Sequence, residues 1–528
     1  MKYDIVIKNG LVADGDSPTM SKADIAVSRD KIVAIAPSIP ADNADALVDA
    51  AGRVVAPGFV DAHSHSDYYL IIDPRAGSKV TQGVTTEVGG NCGYSAAPMS
   101  GEVAARRARD YKEQFSINVD WTRMDEYLGA LEDAKPAVNF AALIGYNTVR
   151  GSVLGMNSSK PGEREMKKIQ ETVAGALDHG AIGMSVGVVY PPACFAETDE
   201  FIEAFRPVAE RGKVFTSHIR SEGPRLLESL EEVAAVAKGS GAKLQVSHLK
   251  TAGKENWGKL PRAFEILEGA MDGGVEIMAD RYPYLASNTG LQVILPDRAF
   301  DGGKDNLVAM LKDRRERDAF KAEILKNHPE PEYWETVMVS QVVTDANRGM
   351  EGLTVAQGAA ARGKDVFNFV FDLLAEEKTD VEAIYFCMSE DNLSRILRKP
   401  WVVIGSDSGA RAVDGPLALG RPHPRTFGSF PKFFKEFVRE KKMFTIPEAV
   451  KKTSTAACDF FGLSGRGRLR EGHFADIVVF DPDTIGDRST YADPLHYSVG
   501  VDTVIVNGAI AMKSGKLTRQ RGGRVLTG

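Results

Sequence analysis

Lys213-Val214-Phe215-Thr216-Ser217-His218-Ile219-Arg220 and Lys243-Leu244-Gln245-Val246-Ser247-His248-Leu249-Lys250 are two short apolar runs with the same ending, Ser-His-apolar-basic. Between them Leu226, Leu227, Leu230, Val233, Ala234 and Ala237 recur at helical spacing, and Gly239-Ser240-Gly241 stops the pattern. A strand, an amphipathic helix and a second strand within about 30 residues make one βαβ unit. The pattern continues outward. Val275-Glu276-Ile277-Met278-Ala279-Asp280 comes one unit later, and Val402-Val403-Ile404-Gly405-Ser406-Asp407 later still. Repeated βα units over most of the chain predict a TIM-like (β/α)₈ barrel spanning residues 57–462. No G-x-G-x-x-G opens a helix, as a doubly wound dinucleotide fold would require. The charged, Gly-containing stretch at about 299–352 reads as an insertion, either a lid over the barrel mouth or a surface elaboration.

The two ends resemble each other. Val6-Ile7-Lys8-Asn9-Gly10-Leu11-Val12-Ala13 has a counterpart in Val504-Ile505-Val506-Asn507-Gly508-Ala509-Ile510-Ala511. Each places Asn-Gly between β-branched segments, a hairpin signal because both turn residues need positive φ. The reading is a small β-sandwich domain built from residues 1–56 and 463–528, with the barrel inserted between.

Composition narrows the class. With 43% apolar and 26% charged residues the chain can bury a core, which excludes a disordered or fibrous protein. The net charge of −7 offers no basic field for nucleic acid, and no apolar run approaches the roughly 20 residues that span a bilayer. Met1–Ile7 lacks the layout of a secretory leader. Four cysteines in 528 residues cannot form a disulfide framework, so the expected setting is the cytoplasm.

Chemistry is expected where strands end. In Gly58-Phe59-Val60-Asp61-Ala62-His63-Ser64-His65, residues two apart share a strand face, so His63 and His65 can grip one metal. Cys92, in Val88-Gly89-Gly90-Asn91-Cys92-Gly93-Tyr94, is bracketed by glycines that let a thiolate approach a metal and leave room for substrate. Cys194, Cys387 and Cys458 lack this setting, as do His179, His328, His423, His473 and His496 among possible ligands. His218 and His248 end successive strands and point into one mouth. Asp407 enters a Gly/Ser loop, where it is either a helix cap or a carboxylate placed to take a proton from water at a metal. One Cys, four His and one Asp suit zinc better than magnesium or calcium. Lys250 lies two residues beyond His248 on the same strand face.

These features resemble the amidohydrolase superfamily. More narrowly, Gly89-Gly90-Asn91-Cys92-Gly93-Tyr94 with Ala96-Ala97-Pro98, Tyr190-Pro191-Pro192, Ala196-Glu197-Thr198-Asp199-Glu200, Asp280-Arg281-Tyr282-Pro283-Tyr284 and Pro422-His423-Pro424-Arg425 resemble the N-acyl-D-amino-acid deacylases. The Asn-Cys-Gly motif is the most specific, because most binuclear relatives bridge their metals with a carboxylated lysine. The resemblance implies zinc held tightly by Cys92, His218 and His248, and a weaker second site at His63, His65 and Asp407. It also implies Asp407 as general base, and Lys250, Tyr282 and Arg425 around the carboxylate of a small-molecule N-acyl amino acid. Arg298 falls near the arginine that acidic-substrate members use. The preference for D-amino acids comes from the resemblance alone. The competing expectation is another amidohydrolase reaction, such as ring opening of a cyclic amide or imide. A catalytically silent scaffold or a metal-storage module would not need the full ligand set with Lys250 and Arg425, and no G-x-S-x-G elbow supports an esterase.

Overall fold

The computed structural model describes residues 2–527. Eight strands form the barrel: β1 (Phe59–Asp61), β2 (Val84–Gly89), β3 (Asn139–Gly145), β4 (Gly183–Gly187), β5 (Val214–His218), β6 (Lys243–Val246), β7 (Ile277–Arg281) and β8 (Val402–Ile404). They pair in chain order, each parallel to the next. Helices cover the outside, so the strands are buried on both faces and read as apolar runs rather than alternating ones. The helix Leu226–Ser240 buries Leu226, Leu230, Val233, Val236 and Ala237 against the barrel, each large side chain contributing roughly 1.5–3 kcal/mol. Gly241 ends it with φ 82°, donating its N–H to the Ala237 carbonyl at 2.8 Å.

Among the described residues β1 and β8 share no ladder. The barrel is closed beyond their ends by a single bridge between Ser64 and Ser408. There Asp407 N donates to His63 O at 2.8 Å and His65 N to Ser408 O at 3.3 Å. The seam of the barrel is therefore made by the segments carrying the His-x-His pair and Asp407.

A nine-stranded sheet is drawn from both ends of the chain, with Val54–Pro57 pairing Ile477–Phe480 at the junction. The two Asn-Gly pairs behave differently in it. Asn507-Gly508, with φ 47° and 80°, is the turn between antiparallel strands Val501–Val506 and Ala509–Lys513. Asn9-Gly10 is not a hairpin turn. Tyr3–Val12 runs through it as one strand, with a register shift between Ile7 and Gly10 against Ser21–Ser28. The positive φ of Asn9 (62°) is absorbed in a bulge, and its N–H is taken by Asp24 Oδ1 at 2.9 Å, so the chain need not turn back.

Between β7 and β8 the chain carries a three-stranded antiparallel sheet: Ala286–Gly290, Glu382–Phe386 and Val337–Gln341. Its own core includes Leu291, Phe320, Trp334, Phe369 and Leu374, and the stretch 299–352 lies within this body. No helix among the described residues is long and apolar enough to cross a membrane.

Candidate active site

A cavity of about 2080 Å³ opens at the barrel mouth, walled on one side by Ser287, Asn288, Thr289, Gln341 and Tyr385 of the inserted sheet. Cys92 lies at its base, 4% exposed and in the left-handed conformation with φ 52°. The flanking glycines are sterically required. A Cβ on Gly90 would meet Leu143 O at 2.3 Å, and one on Gly93 would meet Asn147 Oδ1 at 1.8 Å. His248 (φ 36°) and Asp407 (φ 51°) share this sparsely populated region, the kind of backbone strain that concentrates at functional sites.

Around Cys92 Sγ stand His63 Nε2 at 3.4 Å, His218 Nδ1 at 3.7 Å and His248 Nε2 at 3.7 Å. Asp407 Oδ1 lies 3.0 Å from His65 Nε2 and 3.4 Å from His63 Nε2. Single ligand atoms of His63, Cys92, His248 and Asp407 all fall within 4.8 Å of one another. This donor set fits zinc. Bonds of about 2.3 Å to sulfur and 2.0–2.1 Å to nitrogen at a tetrahedral angle separate S and N by roughly 3.6 Å, inside the 3.4–3.7 Å range found.

Electrostatics separate Cys92 from the other cysteines. Burial opposes its ionisation, but charged His63 and hydrogen bonds from His218, His248 and His63 hold its thiol well below the ordinary value. Burial is the main cause that pushes Cys194 and Cys458 up to about 12. The Asp407 carboxyl is likewise resisted by burial yet held well below its usual range by Arg425, His248, His63 and His65. His65 is lowered by burial but raised by hydrogen bonds to Asp407 and Cys92, to about 9.

Two carboxylates that sequence reading left without a role support this cluster. Asp280 Oδ2 lies 3.1 Å from His63 Nδ1 and accepts from Gln245 Nε2 at 2.7 Å, while Asp280 Oδ1 accepts the His248 N–H at 3.1 Å. Glu222 Oε1 lies 2.9 Å from His248 Nδ1 and 3.9 Å from His218 Nε2, and is ion-paired to Lys250. His63, His218 and His248 thus each turn one nitrogen to the cluster and the other to a carboxylate, the arrangement that fixes the tautomer of a metal ligand. The available signal was a strand-end Asp and a Glu four residues after His218.

Arg425, 4% exposed, sets Nη1 2.7 Å from Asp407 Oδ2 and donates through Nη2 to Asn288 O at 3.3 Å. Tyr282 is fully buried, and its Oη has no hydrogen-bond partner among the described residues. Arg298 is not brought to the cavity. Its guanidinium binds Glu316 at 2.7 Å and Glu323 at 2.8 Å over the ring of Phe320, on the helical part of the insertion.

Fold and site together define a metal-dependent hydrolase of the barrel type, and residues 46–512 match the Amidohydrolase family, to which the chain belongs. Within it the chain groups with the N-acyl-D-amino-acid deacylases. It is 33% identical to D-aminoacylase of Alcaligenes xylosoxydans xylosoxydans over 524 residues, covering 99% of this chain and 97% of the relative. It is 34% identical to N-acyl-D-glutamate deacylase of the same organism over 527 residues, covering 99% and 96%. Its structure is similar to the crystal structure of N-acyl-D-glutamate deacylase from Bordetella bronchiseptica complexed with zinc and a phosphonate mimic of the tetrahedral intermediate. The TM-score is 0.84 and the identity 32%, covering 100% of both chains.

Proposed function

We propose that the protein is a zinc-dependent hydrolase of N-acyl-D-amino acids, releasing a carboxylate and a free D-amino acid. The observation that carries this is the convergence of Cys92, His218 and His248 beneath a cavity that also holds Arg425 and the unpartnered Tyr282 hydroxyl. In this reading Cys92, His218 and His248 hold the tight zinc, and His63, His65 and Asp407 a weaker second site. Zinc, when bound, polarises the scissile carbonyl and makes water nucleophilic near neutral pH. Asp407 moves the proton. Oδ2 is tied to Arg425, which leaves Oδ1, turned towards His63 and His65, to take a proton from water and pass it to the leaving amine. Such acid–base help is worth roughly 10²–10⁴-fold in rate.

Tyr282, Arg425 and Lys250 orient the substrate through its carboxylate. One of the three Lys250 donors is taken by Glu222, and the others remain for the substrate. Arg298, spent on two glutamates, gives no support to an acidic side-chain preference. Residues 57–462 are read as the barrel domain, with a lid at 299–352, and 1–56 with 463–528 as the β domain. The four cysteines are free, in keeping with a reducing cytoplasmic setting.

The test is amine release from paired N-acetyl-D- and N-acetyl-L-forms of Leu, Met, Glu and Asp by metal-analysed protein. D-selective hydrolysis with about one zinc per chain is expected. Silence of the zinc-loaded protein on every pair would overturn the reading in favour of cyclic amide ring opening.

A further inference from the structure

The two cations of the proposed carboxylate pocket are each matched by a carboxylate, and among the described residues a third, behind Tyr282, is not. Lys250 is ion-paired to Glu222, and Arg425 to Asp407 at 2.7 Å. Arg281 lies at the end of β7, 1% exposed, and among the described residues no carboxylate comes within ion-pair distance of it. Its Nη2 donates to the Tyr284 carbonyl at 2.9 Å and touches Met388 Sδ, while Nε and Nη1 have no partner. A guanidinium stays charged in protein, and an unpaired charge removed from water is costly. Its guanidinium lies over the ring of Tyr282, with Cζ 4.3 Å from the centroid. Arg425 Cζ lies 4.6 Å from the same centroid. Two guanidinium groups thus pack on the tyrosine whose hydroxyl is buried and unpartnered in the substrate pocket.

We infer that Arg281 is a positioning residue of the substrate-carboxylate pocket: it fixes the Tyr282 ring from behind and adds a positive charge that no carboxylate pairs among the described residues. Arg281 does not touch the substrate; its charge, paired with no carboxylate among the described residues, reaches an anionic group at Tyr282 Oη through the ring it packs on. The inference rests on the reading above, that Tyr282 faces the carboxylate of an N-acyl amino acid.

The experiment uses zinc-loaded full-length protein and whichever of the four N-acetyl-D-amino acids it turns over fastest, comparing wild type with Arg281→Met and Arg281→Lys. Arg281→Met should raise KM about tenfold with kcat within about twofold, the signature of lost binding shared by ground and transition states. Arg281→Lys, which keeps the charge, should recover most of that loss, and both variants should retain the wild-type zinc content. An unchanged KM in Arg281→Met would overturn the inference. So would kcat and zinc content falling together, or Arg281→Lys performing as poorly as Arg281→Met, since these mark a brace for the stem of the insertion. Should Arg281→Met not fold, Arg281→Gln takes its place: a KM rise of about tenfold that Arg281→Lys does not show supports the inference, and an unchanged KM refutes it. An inactive wild type defeats the parent reading, and a normal wild type with unaffected variants defeats only this one.

Discussion

Lys79→Met tests whether the barrel seam depends on buried charge. Lys79 has no exposed side-chain surface; Nζ lies 2.7 Å from Asp61 Oδ2 and 3.0 Å from Glu87 Oε1, both equally buried, and donates to Ser406 Oγ and Ser408 O at 2.9 and 2.8 Å. Burial alone would lower its pKa, but Asp61 and Glu87 together raise it above the ordinary lysine value. Its contribution is therefore complete at neutral pH and is lost only as pH climbs above the unfolded value, near 10.4, and through the raised folded value. Methionine fills similar volume and strands two carboxylates. Removing one partner of a buried pair costs roughly 3–5 kcal/mol. At about 2.1 cal/mol/K per residue, unfolding all 528 residues as one unit carries near 1.1 kcal/mol/K, so Tm should fall by roughly 3–5 °C. Calorimetry at pH 7 reads this directly. The triple variant Lys79→Met/Asp61→Asn/Glu87→Gln should recover much of the loss by removing the unpaired charges. A Tm drop below about 1 °C in the single variant, or a triple variant no better than the single, would refute the reasoning.

Glu222→Gln should leave the fold intact but weaken zinc about 10–100-fold, because Gln cannot hold the outward nitrogens of His248 and His218 as a carboxylate does; competition with a chelator measures it. Asp407→Asn should keep zinc at the Cys92 site and lose turnover by roughly 10²–10⁴-fold, whereas His248→Ala should lose both; metal analysis beside rate measurement separates them, and an active Asp407→Asn protein removes Asp407 from the mechanism. Lys452, whose ammonium donates to Lys399 O and Val402 O, is pushed down to about 8 by burial. The unfolded chain then binds more protons between pH 8 and about 10.4, so stability should rise with pH across that window. Urea midpoints for wild type minus Lys452→Met should show that slope, and a flat difference would contradict it.

The barrel and the gathering of histidines around Cys92 were legible because both are written locally. A Ser-His ending on an apolar strand fixes where the imidazole goes, and the glycines around Cys92 announce a backbone that only small residues tolerate. Glu222 and Asp280 were harder to assign. Their partners are histidines on other strands or beyond a loop, and a carboxylate beside a charged run carries no mark of what it will face. Arg298 failed differently: its position depends on how the insertion folds on its own core, and Glu316 and Glu323, 18 and 25 residues on, claim the guanidinium. Asn9-Gly10 showed the limit of a turn signal. Positive φ at Asn9 was read correctly, but Asp24 satisfies the freed N–H, and a bulge becomes as good a solution as a hairpin.

The polar character of the seam follows from the chemistry it frames. A barrel closed by a full ladder between β1 and β8 would hold the following residues in extended backbone. Here Asp407 has φ 51°, which turns its carboxylate back across the seam to His63 and His65. Pairing is thereby limited to the one bridge, and side chains reinforce it: Ser406 donates to Asp61, Ser64 and Ser66 donate to Glu87, and Lys79 ties the two carboxylates together. Replacing this network by packed apolar residues could match its stability, but it would remove the groups that bind the Asp407 loop to the His-x-His strand. On this argument Lys79→Met should loosen the second metal site before the Cys92 site, since Asp407, His63 and His65 lie on the seam while His218 and His248 lie on β5 and just past β6. Titrating zinc into the apo variant tests it, and equal weakening of both sites would show that the seam serves the fold alone.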